Sequence, residues 1–243
     1  MLRFLGIGAQ KAGTTWLYEM LLRHPDIRFT ARKEVHYWNN PERGPLERYR
    51  AKFAGPEAFG DITPGYQCLP VATIREIRAA FPDVRLVFII RNPIDRAWSS
   101  AKMALQRAQM DLAEASDPWF IDHFRSAASR SRGDYETALR QWRSVFPSEQ
   151  LAIHRYEELE RAPNDLLVRV ARHIGVDGGF FESLSTTITQ KRVFASPVGE
   201  LRPTLRPVLD DLYREQILSL QDYLGEDLGS WLEEPTARAI AIA

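Results

Sequence analysis

GIGAQKAGTTW, residues 6–16, is the stretch that decides the fold of this chain. Gly8 and Gly13 keep the interval of the two glycines in a Walker A phosphate-binding loop, but Thr14 stands where the Walker lysine belongs. The lysine of this loop is Lys11, which lies between the two glycines. Glycines let a backbone approach a phosphate closely, and a lysine adds positive charge. The stretch therefore predicts a phosphate-binding loop with an unusual position for its cation.

The residues on either side of this loop predict a strand before it and a helix after it. The apolar run Phe4–Ile7 is typical of a buried strand, and apolar residues recur at helical spacing after Thr14 or Thr15. The unpaired N–H groups and the dipole of a helix N-terminus favour an anion at such a turn. We expect the loop to bind a phosphate-bearing donor through its backbone N–H groups, two hydroxyl groups and one ammonium group. The predicted ligands are Lys11, Ala12, Gly13, Thr14, Thr15 and Trp16.

Further strands and helices alternate along the chain. Val84–Ile90 is almost entirely apolar, as in a parallel sheet covered on both faces, and QLAIHRY, residues 150–156, predicts another strand. Helices are predicted after Pro93, over a segment that stops at Pro147, near residues 163–174 and near residues 207–223. This alternation predicts an α/β fold, a P-loop-type three-layer sandwich with a central, mostly parallel sheet and helices on both faces. Residues 39–60, rich in Gly, Pro and charge, are predicted to be irregular surface.

The composition narrows the class of protein. A length of 243 residues predicts a single domain over residues 1–243. The net charge of zero does not favour nucleic acid as a partner, and no segment approaches the 18 apolar residues of a membrane span, so membrane insertion is not expected. Cys68 is the single cysteine, which fits a reducing compartment. We predict a soluble, cytoplasmic protein.

Arg91 and Ser99 form a second candidate anion-binding element. In LVFIIRNPIDRAWSSAK, residues 86–102, Arg91 ends the predicted strand and Ser99 lies about two turns into the next helix. Ligands of open parallel sheets bind at the carboxyl ends of the strands, and an arginine with a hydroxyl group suits a second, separate phosphate. The strand ends in Arg91–Asn92 rather than in the acid that holds Mg²⁺ in NTPases. We therefore expect charge neutralisation by side chains, with no metal ion, and a transferred group less charged than a phosphoryl group.

Together these elements resemble the sulfotransferases that use 3′-phosphoadenosine 5′-phosphosulfate (PAPS). QKAGTTWL is similar to their 5′-phosphosulfate loop, IIRNPIDRAWSSA to their 3′-phosphate element, and GDYETALRQWRSVFPSEQLAIHRYEEL to a third common block. The resemblance covers nearly the whole chain. It implies sulfuryl transfer from PAPS to an acceptor hydroxyl group, with adenosine 3′,5′-bisphosphate as the product. It also implies that Lys191 and Arg192, in TQKRVFASP, lie in a loop that closes over the nucleotide and contact its phosphates.

ARKEVHYWN, residues 31–39, resembles the Lys-Glu-x-His-aromatic segment of the Golgi carbohydrate (heparan sulfate type) sulfotransferases and their soluble bacterial relatives. The glutamate is the general base in that branch, which places this role on Glu34. On an extended strand His36 shares the face of Glu34, so it is a candidate to orient the base or the acceptor, or to be the base. The branch favours a carbohydrate acceptor; a lipid, a metabolite and a tyrosine hydroxyl are the alternatives. GDITPGY, residues 60–66, resembles an acceptor-side segment, with Ile62 where several glycosaminoglycan enzymes have a lysine.

Two other functions fit parts of the pattern. A P-loop kinase or other NTPase shares the strand, loop and helix, but the Walker lysine and the strand-end acid are missing. A catalytically inactive nucleotide-binding member of the family would keep the loop, but it would not need Lys11, Glu34, Arg91 and Ser99 together. We therefore predict an enzyme in which Glu34 accepts the hydroxyl proton and Lys11 stabilises the charge on the leaving 5′-phosphate oxygen.

Overall fold

The computed structural model describes residues 1–30, 33–190 and 199–233. These residues divide into two compact units, one drawn from residues 1–91 and 138–190 and the other from residues 92–137 and 199–233. The predicted nucleotide ligands Lys191 and Arg192 lie outside the described residues.

The first unit is built on a five-stranded sheet whose neighbouring strands are all parallel, in the order β2-β3-β1-β4-β5. The strands are β1 (Leu2–Gly8), β2 (Ile27–Arg28), β3 (Ala58–Ile62), β4 (Arg85–Ile90) and β5 (Leu151–Arg155). β1, β3 and β4 are buried over nearly their whole length, as expected of a parallel sheet covered on both faces. The predicted parallel sheet and its three predicted strands are confirmed. Because the strands are parallel, their carboxyl ends share one edge of the sheet.

Helices of the first unit follow these strands in chain order. They are α1 (Thr14–Leu21), α2 (Leu46–Arg50), α3 (Val71–Ala80), α8 (Tyr156–Arg161), α9 (Pro163–Ile174), α10 (Gly179–Glu182) and α11 (Thr186–Thr189), with 3-10 turns at Ala51–Phe53, Pro64–Cys68 and Ser148–Gln150. α9 has the bounds predicted for it: Pro163 suits the first turn, and Gly175 ends the helix with a φ of 79°. α7 (Tyr135–Arg143) joins the two units along the chain and confirms the helix predicted there.

Strand β3 begins inside residues 39–60, the stretch that was predicted to be irregular surface, so that prediction was wrong over residues 58–60, as it was over α2. Its sequence, AFGDI, contains a glycine and an acid, both uncommon in strands. In the structure, a Cβ atom on Gly60 would overlap the ring of Phe4 on β1, so this glycine makes room for a neighbouring side chain. Asp61 is 1% exposed and accepts hydrogen bonds from the hydroxyl groups of Tyr49 on α2 and of Thr63 and Tyr66 in the turn that follows. These tertiary contacts stabilise a strand that the local sequence does not indicate.

The second unit is helical in its described part. Its helices are α4 (Pro93–Arg107), α5 (Asp117–Arg125), α6 (Ala127–Gly133) and α12 (Arg206–Leu224), with a 3-10 turn at Gly229–Trp231. α4 begins at Pro93 as predicted, and the side chain of Asn92 caps it by accepting a hydrogen bond from the N–H of Ile94 at 3.0 Å. α12 confirms the last predicted helix. Among the helices of the described ranges, none has the length and hydropathy needed to cross a bilayer.

Candidate functional site

The loop between β1 and α1 has the form of an anion-binding turn. Lys11 and Gly13 adopt left-handed φ angles of 70° and 81°, a conformation that is uncommon for a residue other than glycine. Gly13 occupies the N-cap position of α1 and supplies no side-chain cap, so the first N–H groups of the helix are not capped by a side chain. A Cβ atom on Gly13 would also lie 2.6 Å from Cδ1 of Leu159 on α8. Both the φ angle and the packing therefore require glycine at the entrance to the helix.

Arg91 follows β4 and contacts this loop directly. Its Nη1 atom donates a hydrogen bond to the main-chain oxygen of Lys11 at 2.9 Å, and its guanidinium carbon lies 4.4 Å from the centroid of the Tyr156 ring. The Nε atom of Arg91 is buried and has no hydrogen-bond partner among the described residues. An orphaned donor on a cation beside a phosphate-binding turn is consistent with a bound anion. The structure thus brings together two of the predicted nucleotide ligands.

Tyr156 is a site residue that the sequence analysis missed. It is the first residue of α8, directly after β5, and therefore lies at the carboxyl edge of the sheet. Stacking of an arginine on an aromatic ring contributes about 0.5–2 kcal/mol and fixes the plane of the guanidinium. The position of Tyr156 at a strand end, next to the strand that ends at Arg91, was the available signal.

Three other predicted nucleotide ligands, Ser99, Trp16 and Thr14, have buried side chains. Ser99 is 5% exposed on α4 in the second unit, whereas Arg91 belongs to the first unit, so their joint contact with one phosphate stays a prediction. Trp16 is 4% exposed, and its Nε1 atom donates to the carbonyl oxygen of Thr189 at 2.7 Å. The ring of Trp16 is therefore part of the hydrophobic core, and its backbone N–H group is the part that remains for the predicted binding of the phosphosulfate. Thr14 is buried at the start of α1.

Glu34 and His36 meet, although not in the way that was predicted. Their φ angles are 69° and 56°, so the segment is not an extended strand, and the prediction of a shared strand face was wrong. The side chains nevertheless lie together, with Nε2 of His36 3.2 Å from Oε2 of Glu34. Left-handed backbone at both positions, which no local pattern indicates for these residue types, brings about this contact.

The carboxylate of Glu34 has a second basic neighbour. Nζ of Lys33 lies 2.5 Å from Oε1 of Glu34. Burial raises the pKa of Glu34, but the hydrogen bonds and charges of Lys33 and His36 outweigh this effect and hold the pKa below its usual value. Glu34 is therefore ionised at neutral pH, as a general base has to be.

The contacts of His36 indicate which of its nitrogens carries the proton. An ionised carboxylate can only accept hydrogen bonds, so the contact with Glu34 requires a hydrogen atom on Nε2 of His36. Nδ1 of His36 faces the side-chain amide of Asn39, 3.1 Å from Nδ2 and 3.2 Å from Oδ1. Both ring nitrogens of His36 are therefore engaged by neighbouring side chains, Glu34 on one side and Asn39 on the other.

Asp61 is a buried acid at the end of β3 with both oxygens engaged. Oδ1 accepts from Oγ1 of Thr63 at 2.7 Å, and Oδ2 accepts from the hydroxyl groups of Tyr66 at 2.8 Å and Tyr49 at 2.9 Å. Burial raises the pKa of Asp61 and these hydrogen bonds lower it, with burial the stronger. Burial and the nearby Asp61 charge also raise the pKa of Tyr49 and of Tyr66, so both keep their hydroxyl hydrogens.

The segment that carries Glu34 is attached to this end of β3 through its backbone. The N–H of Glu34 donates to the carbonyl oxygen of Ile62 at 3.1 Å. The N–H of Tyr37 donates to the hydroxyl oxygen of Tyr66 at 3.0 Å. Because β3, β1, β4 and β5 are neighbours, the Glu34 segment, the Lys11 loop, Arg91 and Tyr156 all lie along the carboxyl edge of one sheet.

Comparison with known proteins finds sulfotransferases among the proteins that are similar to this chain. A family profile described as "Sulfotransferase family" matches residues 66–181, a range that includes Arg91 and Ser99 but neither Lys11 nor Glu34. Heparan sulfate glucosamine 3-O-sulfotransferase 6 of Homo sapiens is 32% identical over 178 residues, which are 70% of this chain and 51% of that protein. The chain spans 23% to 51% of the length of the curated relatives that it matches.

Solved structures share the fold. The crystal structure of a sulfotransferase from Alicyclobacillus acidocaldarius matches with a TM-score of 0.73 and 24% identity, covering 96% of this chain and 99% of that chain. Mouse sulfotransferase SULT7A1 complexed with PAP matches with a TM-score of 0.59 and 18% identity, covering 90% of this chain and 88% of that chain. These matches confirm the predicted P-loop-type α/β sandwich.

Proposed function

The chain belongs to the sulfotransferase family, and we propose that it transfers a sulfuryl group from PAPS to an acceptor hydroxyl group. The observation that carries this proposal is the contact of two cationic residues at one phosphate-binding turn, where Arg91 Nη1 lies 2.9 Å from the main-chain oxygen of Lys11. A carbohydrate is the favoured acceptor, because a relative is named for heparan sulfate glucosamine. Both units are proposed to form one catalytic domain over residues 1–243, since the Alicyclobacillus match covers 96% of the chain.

The donor would be held by residues that the fold presents at the sheet edge. The uncapped N–H groups at the start of α1, with the hydroxyl groups of Thr14 and Thr15 and the ammonium group of Lys11, suit the 5′-phosphosulfate. Arg91, stacked on Tyr156, has the free Nε donor for a phosphate. We assign the 3′-phosphate to Arg91 and Ser99, with Lys191 and Arg192 as further phosphate ligands.

The reaction is proposed to be a direct in-line transfer. The acceptor hydroxyl oxygen forms a bond to sulfur while the bond between sulfur and the 5′-phosphate oxygen breaks. The hydroxyl proton passes to the Glu34 carboxylate, and the charge of Lys11 stabilises the negative charge that develops on the leaving phosphate oxygen. A sulfuryl group is less charged than a phosphoryl group, so side-chain cations and backbone N–H groups are proposed to suffice without a metal ion. A general base of this kind contributes about 10²–10⁴-fold to the rate.

Glu34 is a better candidate for the base than His36. Nε2 of His36 donates to Glu34 and its Nδ1 atom faces the side-chain amide of Asn39, so both ring nitrogens are already engaged. Glu34 is ionised, because Lys33 and His36 hold its pKa below the usual value. His36 is then proposed to orient the Glu34 carboxylate. Lys33 contacts one oxygen of the carboxylate and His36 the other, and each oxygen has a second lone pair for the acceptor proton.

Two further properties are part of the proposal. The balanced charge of the chain supports a function without nucleic acid, and its single cysteine supports a cytoplasmic location. The engaged carboxylate of Asp61, whose two oxygens accept three hydroxyl hydrogen bonds, supports the proposal of a reaction that does not use this strand-end acid as a metal ligand.

Calorimetry of nucleotide binding tests the donor assignment. Adenosine 3′,5′-bisphosphate is expected to bind in the absence of Mg²⁺, and ATP with Mg²⁺ is expected to bind at least about tenfold more weakly, a difference of about 1.4 kcal/mol. Tight, Mg²⁺-dependent binding of ATP would instead identify a P-loop kinase or NTPase. Binding of the bisphosphate without any transfer from sulfur-labelled PAPS to pools of carbohydrate, lipid, metabolite and tyrosine acceptors would indicate the inactive alternative.

A further inference from the structure

We propose that Asp61 is a positioning residue for this reaction: it fixes the hydroxyl groups of Thr63 and Tyr66, which hold the backbone that presents Glu34. The inference rests on the proposed function, because Glu34 is the base only if the chain transfers sulfuryl groups. It assigns a role to a buried acid whose carboxylate accepts hydrogen bonds from Thr63, Tyr66 and Tyr49.

The burial of Asp61 is compensated by hydrogen bonds to its carboxylate. Asp61 is 1% exposed, and burying an ionisable group is costly unless it is hydrogen-bonded. Three hydroxyl groups donate to it, two from the turn that follows β3 and one from α2: Thr63 to Oδ1 at 2.7 Å, Tyr66 to Oδ2 at 2.8 Å and Tyr49 to Oδ2 at 2.9 Å. Asp61 therefore determines where each of these hydroxyl hydrogens points.

Two of the three hydroxyl groups also hold the segment of the base. Oγ1 of Thr63 accepts from the N–H of His36 at 3.4 Å, and the hydroxyl oxygen of Tyr66 accepts from the N–H of Tyr37 at 3.0 Å. A hydroxyl group has one hydrogen and two lone pairs. Because Asp61 takes the hydrogen of each hydroxyl, a lone pair of each is left facing an N–H group of the segment.

The segment needs such support, because its backbone is strained. Glu34 and His36 have φ angles of 69° and 56°, in the left-handed region that favours glycine. Such conformations persist only where the surrounding structure over-determines them. The N–H group of His36 donates to Thr63 and that of Tyr37 to Tyr66, which restrains the backbone at one of the strained positions directly.

Tyr49 and Tyr66 form a natural matched pair for a test. Both are buried, and each donates its hydroxyl hydrogen to the same oxygen of Asp61. Only Tyr66 also accepts an N–H bond from the base segment, at Tyr37. Tyr49 contacts Tyr37 through its ring, with centroids 4.3 Å apart, and phenylalanine would keep this stacking. Tyr66→Phe thus removes one of the links between Asp61 and the segment, whereas Tyr49→Phe removes a hydroxyl bond to Asp61 that is not shared with an N–H group of residues 34–37.

The experiment compares Tyr66→Phe, Tyr49→Phe, Thr63→Val and Thr63→Ser by two measurements. Hydrogen exchange of the peptide that contains residues 34–37, monitored by mass spectrometry in the protein without substrate, reports the restraint on the segment. The kcat for transfer from PAPS, with calorimetric binding of adenosine 3′,5′-bisphosphate beside it, reports the positioning of the base. Thr63→Ser keeps the hydroxyl group and is the conservative control for Thr63→Val.

Tyr66→Phe and Thr63→Val are expected to accelerate exchange of this peptide and to lower kcat, each about tenfold or more, because small displacements of a reacting group are costly. Nucleotide affinity is expected to change by less than about twofold, since the nucleotide ligands lie elsewhere. Tyr49→Phe is expected to have a clearly smaller effect on the exchange rate and on kcat, and Thr63→Ser is expected to keep both near the wild-type values.

Equal effects of Tyr66→Phe and Tyr49→Phe, or unchanged exchange in Tyr66→Phe and Thr63→Val, would overturn the role of Asp61. A wild-type protein that transfers nothing from PAPS would instead refute the proposed function, and the exchange data would still decide whether the network restrains the segment.

Discussion

Nη1 of Arg91 donates a hydrogen bond to the main-chain oxygen of Lys11 at 2.9 Å, which joins the end of β4 to the loop after β1. These residues are 80 positions apart in the sequence, and the parallel sheet makes their strands neighbours. The contact places a guanidinium beside a loop that already carries an ammonium group. The proposed phosphate-binding turn, which lacks the Walker lysine, thereby has cationic residues from the ends of two strands.

Arg91→Ala is expected to weaken the binding of adenosine 3′,5′-bisphosphate by at least about tenfold, because it removes a charged hydrogen-bond donor and the contact with the loop. Arg85→Ala is the matched control: Arg85 lies at the other end of β4 and donates to the carbonyl oxygen of Glu149. Calorimetry without Mg²⁺ measures both variants. Equal losses in the two variants would show that the effect comes from the strand and not from the site.

Glu34→Gln is expected to lower kcat for sulfuryl transfer by about 10²–10⁴-fold while leaving nucleotide affinity nearly unchanged, because the amide cannot take up the hydroxyl proton. Steady-state transfer from labelled PAPS, with calorimetry on the same preparation, measures both quantities. Normal turnover by Glu34→Gln would make His36 the better candidate for the base, and His36→Gln would then be the inactive variant.

Lys33→Gln is expected to move the acidic limb of the pH profile of kcat/KM to higher pH. The limb follows the pKa of Glu34, which is lowered because Lys33 and His36 outweigh the effect of burial. Because its pKa is lowered, Glu34 stays ionised at pH values at which an ordinary glutamate would be protonated. Activity is therefore lost only as the pH falls through the lowered pKa. Removing Lys33 leaves burial less opposed and raises the pKa. Lys33→Arg keeps the charge, and its profile is expected to stay closer to that of the wild type; a limb that does not move in Lys33→Gln would contradict the assignment.

Gly13→Ala is expected to destabilise the protein more than Gly225→Ala and to weaken nucleotide binding. Both glycines have left-handed φ angles, 81° and 68°, and a side chain in this conformation costs about 1–2 kcal/mol. Only at Gly13 would the new Cβ atom meet a neighbour, Cδ1 of Leu159 at 2.6 Å, whereas nothing lies within 4 Å at Gly225. Urea unfolding and calorimetry measure the two effects. Equal free energies of unfolding in the two variants would show that the loop and Leu159 rearrange around the new Cβ atom without loss of stability.

His154→Gln is expected to reduce the loss of stability on acidification. Burial lowers the pKa of His154 to about 4, so the unfolded chain binds a proton below about pH 6.5 while the folded protein does not. Stability contributed by this group is therefore lost as the pH falls from about 6.5 to about 4, by about 2 kcal/mol at pH 5. The urea midpoints of the two proteins at pH 7 and pH 5 measure the difference. His123 and His173, whose pKa values are also lowered by burial, are present in both proteins; an equal fall in the two midpoints would assign the acid sensitivity to them.

The sequence by itself determined the parts of the molecule that local patterns encode. An apolar run, a glycine-containing turn and a helical periodicity are sufficient to predict β1, the loop with Lys11 and α1. A second apolar run that ends in Arg91 is sufficient to predict β4, and the rule that ligands bind at the ends of parallel strands places Arg91 near the loop. These features depend on residues that are close together in the chain, and the structure confirms them.

Only the tertiary structure decided how the base segment is held. β3 was missed because Gly60 and Asp61 are poor strand residues. Their partners are the ring of Phe4 on β1 and hydroxyl groups from α2 and from the turn after β3. The left-handed backbone at Glu34 and His36 and the stacking of Arg91 on Tyr156 are likewise invisible in a local pattern. The reason is physical: the hydrogen bonds and packing that stabilise these conformations join residues that are distant in the sequence and adjacent only in the fold.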